Sequence, residues 1–112
     1  MEVCCYPQHS SRSEYDAIRR AGGGYGGLLT FLVACPARNA LPLYDHLEIS
    51  KGPSLGTNFS LVCPYMLLAH YNELGWTDRL GMDRHLLRFS VGLEPHDVLI
   101  ERLDRAFRAC PA

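Results

Sequence analysis

Lysine is nearly missing from these 112 residues: Lys51 stands alone among 11 basic side chains, set against 12 acidic ones. The formal net charge is −1 and neither sign forms a long run. A chain so balanced lacks the basic patch that holds a phosphate backbone or an anionic membrane surface, so neither nucleic acid nor a membrane is an expected partner. Long hydrophobic runs are missing too. Although 47% of the residues are hydrophobic, no apolar stretch approaches the ~20 residues that span a bilayer, and the N-terminus shows no basic segment leading into an apolar run. Paired cysteine spacings are the third absence. Cys4, Cys5, Cys35, Cys63 and Cys110 are odd in number and scattered, which argues against a zinc site and against a small secreted disulfide scaffold. They read as reduced, mostly packing thiols of a cytoplasmic protein. No motif arranges them with the histidines for an independent nucleophilic enzyme, and no metal ligand is assigned.

What is present suits one globular domain over residues 1–112, able to bury roughly two thirds of its unfolded surface. A β-prone run at 3–6 stops at Pro7, and a Ser-rich piece then offers caps for a helix over 14–20 that would bury Tyr15 and Ile18. The glycines at 22–27 follow that helix and precede the apolar strand 28–33. A phosphate cradle needs the reverse order, so they read as a helix end plus a strand closely approached by other backbone. Residues 37–47 predict a helix despite Pro42. An interrupted strand is expected over 47–56 and another β-prone piece over 58–62, followed by an aromatic and aliphatic stretch around His70. Residues 95–109 are the clearest helix: Val98, Leu99, Leu103, Ala106 and Phe107 recur at helical spacing behind Pro95, and Arg105 and Arg108 lie near its end. Connections between the middle strands are too short for parallel crossovers throughout. The expected fold class is therefore α+β, a mainly antiparallel sheet covered on one face by helices.

One strand concentrates the chemistry. Over 86–91 alternation sends Leu87, Phe89 and Val91 to one side and Leu86, Arg88 and Ser90 to the other. A guanidinium in so apolar a setting needs an anion, and its planar fork matches a carboxylate. An internal Asp or Glu partner and a carboxylate-bearing ligand explain Arg88 equally well at this point.

The order of motifs favours the ligand, through a resemblance. Gly-Tyr-Gly-Gly-Leu-Leu-Thr-Phe over 24–31, Ser-Leu-Gly over 54–56, His70, then Leu-Leu-Arg-Phe-Ser-Val-Gly-Leu-Glu over 86–94 and a final helix together resemble the C-terminal domain of the Cys/Met-metabolism enzymes that use pyridoxal phosphate, the group of cystathionine γ-synthase, cystathionine γ-lyase, methionine γ-lyase and O-acetylhomoserine sulfhydrylase. The resemblance implies the small C-terminal domain of a fold-type I enzyme of transsulfuration. It also implies that Arg88 holds the substrate α-carboxylate with Ser54 beside it. Glu94 is expected to be structural and His70 a packed residue, and no catalytic or cofactor-binding residue is assigned. Pyridoxal 5'-phosphate is implied by the resemblance, but the lysine that carries it, with the rest of the cofactor site, belongs to a large domain expected to be absent here. Lys51 lacks the setting of that lysine, so the chain alone is expected to be inactive. Its expected partners are the amino-acid carboxylate and the large domain or further copies of itself. Pro64-Tyr65-Met66 stands where relatives carry a His-Pro-Ala-like run, a departure from the family's pattern. A stand-alone, non-catalytic interaction module that binds full-length relatives is the alternative.

Overall fold

A computed structural model describes residues 2–111, and side chains from Cys5 to Pro111. Five strands form one sheet: β1 (Glu2–Cys5), β2 (Leu28–Leu32), β3 (Ser50–Lys51), β4 (Leu61–Pro64) and β5 (Leu87–Ser90), in the order β1-β2-β5-β4-β3. Every neighbouring pair is antiparallel except β3 with β4, whose parallel pairing lasts only two residues at the sheet edge. The α+β class and the mainly antiparallel sheet are as the sequence predicts.

Register explains which residues face the core. Leu29 lies opposite Phe89 and Phe31 opposite Leu87, while Val62 lies opposite Phe89 on the other flank. Opposed residues project to the same side, so these apolar side chains form one continuous surface. Helices α3 (Pro36–His46) and α6 (His96–Ala109) pack over it, contributing Ala40, Leu43, Leu99 and Ala106, with Leu103 and Phe107 half-buried beside them. Leu43 and Ala106 are fully shielded from solvent. The predicted stripe of α6 is thus its packing face, and Pro95 takes the cap position just before the first turn. Pro42 sits inside α3, where its missing N–H leaves the helix intact.

The short helices differ more from expectation. Residues 7–18 fold as α1 (Pro7–Ser10) and α2 (Arg12–Ile18), neither with a buried residue. Ile18 is 83% exposed, so α2 does not bury it. The helix leans on the glycine loop instead: Tyr15 packs 5.5 Å from Tyr25, whose hydroxyl donates to Asp16 at 2.8 Å, and the Arg19 guanidinium lies 4.7 Å from the same ring. Arg19 has already turned extended, so the helix ends before the predicted Arg20. The strand expected at 58–62 lies instead at Leu61–Pro64, because β5 draws Cys63 and Pro64 into its ladder, opposite Arg88 and Leu87. The aromatic stretch becomes α4 (Tyr65–Ala69), a 3-10 turn at Tyr71–Glu73 and α5 (Leu74–Arg79). Of the thiols, Cys63 is buried and Cys110 half-buried, but Cys5 and Cys35 are exposed, which corrects the reading of them as mostly packing groups; the Cys4 side chain lies outside the described residues. Among the described residues no helix is long and apolar enough to cross a membrane.

Candidate functional site

The sheet side turned away from α3 and α6 carries the candidate site residue Arg88. Register places Thr30 of β2, Arg88 of β5 and Cys63 of β4 in one row across three strands. Arg88 is half-buried there, and among the described residues no carboxylate lies within ion-pair distance of it. Among the described residues, an internal acidic partner is therefore not what holds this arginine. Arg88 Nη2 donates instead to the Pro53 carbonyl oxygen, and the guanidinium carbon sits 4.5 Å from the centre of the Tyr65 ring. Burial pushes the Cys63 thiol up, against the opposing pull of the Arg88 charge and hydrogen bond. Thr30 Oγ1 is buried without a hydrogen-bond partner among the described residues, an open polar group in the row of Arg88.

Ser54 comes to the same place by way of its loop. The carbonyl that Arg88 grips is the one preceding Ser54, and the Gly56 amide donates to Ser90 Oγ at 3.3 Å. Gly56 adopts φ +67°, a left-handed conformation that turns the loop without a Cβ penalty. Ser54 itself is exposed. Arg88 and Ser54 are thus brought together, with one main-chain carbonyl between them.

A second network fixes the frame. Ser60, 1% exposed, donates its amide to Glu94 Oε1 at 2.6 Å and its hydroxyl to Glu94 Oε2 at 2.8 Å, and its Oγ accepts the Gly92 amide at 2.8 Å. These bonds hold the Glu94 carboxyl below its ordinary range, led by the Ser60 amide and opposed by desolvation. Glu94 is the structural partner expected. Gly92 is required by contact: a Cβ there would lie 2.5 Å from the Ser60 nitrogen and 2.6 Å from Glu94 Oε2. Neither Ser60 nor Thr30 stood out in the sequence; the one signal for Thr30 was a lone polar residue in an otherwise apolar strand.

His70 packs, as expected, edge-on to Tyr65 at 5.7 Å, and its Nδ1 donates to Glu73 Oε2 at 2.9 Å. Lys51 serves a different side of the sheet. It lies opposite Val62 of the core face, its amine donates to the Leu47 carbonyl, and it covers the Tyr44 ring at 4.7 Å. Desolvation lowers its pKa, with Asp45 opposing. A cofactor-bearing lysine on the Arg88 side is therefore not among the described residues, and the groups there do not fit pyridoxal phosphate by themselves. An open cleft of about 420 Å³, lined by Pro36, Asp78, Asp83, Arg84 and His85 among others, contains neither Arg88 nor Ser54. Its polar groups pair internally, Arg84 with Asp78 and His85 with Asp83.

The sequence pattern of the Cys/Met metabolism PLP-dependent enzymes matches residues 1–108. The chain is 50% identical over 104 residues to cystathionine gamma-synthase of Neurospora crassa, covering 92% of this chain and 17% of that protein. It is 44% identical over 105 residues to the Saccharomyces cerevisiae cystathionine gamma-synthase, covering 90% and 16%. Among solved structures, cystathionine gamma-lyase from Lactobacillus plantarum complexed with L-serine superposes with a TM-score of 0.78 at 27% identity, covering 96% of this chain and 29% of that one. The chain thus spans 17% of the length of the Neurospora crassa synthase and 16% of the yeast one. It belongs to the family of Cys/Met metabolism PLP-dependent enzymes.

Proposed function

We propose that this chain is the substrate-carboxylate domain of a PLP-dependent transsulfuration enzyme of the cystathionine γ-synthase type, with Arg88 as the anchor of the amino-acid α-carboxylate and Ser54 beside it. The observation that carries this is Arg88 itself: a half-buried guanidinium that meets a neutral carbonyl and an aromatic face, with no described carboxylate in reach. A charge so placed retains N–H donors for an anion, and a bidentate grip fixes the carboxylate in direction as well as position. A similar structure was solved with L-serine, a free amino acid.

The chain's own work is to bind and orient. Arg88 fixes one end of the amino acid, so that the bond to be broken stands correctly against groups supplied from elsewhere. The cofactor, which supplies the electron sink when bound, would sit with its lysine on a larger domain outside this domain of residues 1–112. The exposed thiols of Cys5 and Cys35 suit a reducing, cytoplasmic setting. The relatives described above are named as synthases and a lyase, which leaves the stand-alone interaction module without an observation in its favour.

The test joins this chain to the large domain of the Neurospora crassa synthase and measures turnover of an activated homoserine with cysteine. Arg88→Ala is expected to raise KM about 10- to 100-fold, the loss of roughly 1.5–3 kcal/mol of charge-assisted hydrogen bonding. Arg88→Lys, which keeps the charge without the fork, should fall between. Ser54→Ala should cost a few-fold. An active pair in which Arg88→Ala leaves KM and kcat unchanged would sink the proposal.

A further inference from the structure

Tyr65 is placed by the end of β4. Alternation puts it on the side of Cys63 and Arg88, and the chain turns into α4 at that residue, so its ring stays over the row. The guanidinium carbon lies 4.5 Å from the ring centre, a cation–π distance. Tyr65 is held in turn: the His70 ring meets it at 72° and 5.7 Å, and His70 is tied to Glu73 at 2.9 Å. The neighbouring Met66 is 1% exposed and anchors α4 independently.

An unrestrained arginine has several rotamers and must give them up on binding. An aromatic face 4.5 Å from the guanidinium carbon removes part of that freedom beforehand and shields the guanidinium on that side from water. The Pro53 carbonyl occupies one of the guanidinium N–H donors and fixes rotation about the remaining axis.

We propose that Tyr65, braced by His70 and Glu73, is a positioning residue for Arg88 that pre-sets the guanidinium for the substrate carboxylate. This rests on Arg88 being the carboxylate anchor. It predicts an effect on substrate affinity with little effect on the chemical step, because Tyr65 reaches the carboxylate only through Arg88.

The joined enzyme described above reads it. Tyr65→Leu should raise KM roughly three- to tenfold with kcat held, whereas Tyr65→Phe, which keeps the ring, should restore KM to about the parent value. His70→Ala, which frees the ring without removing it, should give an intermediate KM. Combined with Arg88→Ala, Tyr65→Leu should add nothing further, the mark of two groups acting as one. On the 112-residue chain, Tyr65→Leu should move the Arg88 Nε–Hε proton resonance out of the ring-current shift while leaving the thermal unfolding midpoint near the parent value. If Arg88→Ala raises KM but Tyr65→Leu and His70→Ala do not, the positioning role is overturned and the anchor stands. If Arg88→Ala itself is silent, the anchor fails first.

Discussion

Ser60 and Glu94 are joined by two hydrogen bonds, and the protonation of Glu94 has a direction. The Ser60 amide and hydroxyl both donate to Glu94, so the folded state favours the carboxylate and lowers its pKa. The resulting stability is fully present above the ordinary glutamate value of about 4.3 and is lost as pH falls through the lower, folded value. Urea denaturation should therefore show stability declining below about pH 4, and Glu94→Gln should lower stability at neutral pH while flattening that acid limb. An unchanged acid limb in Glu94→Gln would refute the assignment. At this scale the sequence was half legible. The side on which Arg88 stands follows from alternation alone, but its contacts do not: Pro53 is 35 residues away, and the path of a loop leaves no periodic trace.

Among the elements, α6 could be read from the sequence because its stripe is long and its far side is charged, with Arg105 bonded to Glu48 and Glu101. Short pieces could not. The limits of β4 were set by its partner β5 rather than by its own residues, and α2 ends where Arg19 is taken up by Asp16 and the carbonyl of Gly23. The α3–α6 layer against the sheet should dominate stability. Leu43, 0% exposed at its centre, should cost about 2–5 kcal/mol when cut to alanine, read as a lower denaturation midpoint at unchanged slope. A loss below about 0.5 kcal/mol would mean that this layer is not the core.

For the whole molecule, order should be graded. Helices α1 and α2 bury no residue, whereas β2 and β5 carry Phe31, Leu87 and Phe89 at the centre of the packed layer. Amide hydrogen exchange should accordingly be fastest across residues 7–18, by local opening, and slowest in β2 and β5, near the global limit. Equal protection in both would show that the N-terminal helices open only with the core.

The strand order β1-β2-β5-β4-β3 also fixes a sequence of events in time. The strand that joins the two flanks follows the other four in the chain, so β1 with β2, and β3 with β4, emerge as separate pairs with bare edges and no shared surface to cover. Until β5 and then α6 arrive there is no common core for either flank to join. Sheet closure therefore waits for β5, and the strand that carries Arg88 is the one that completes it.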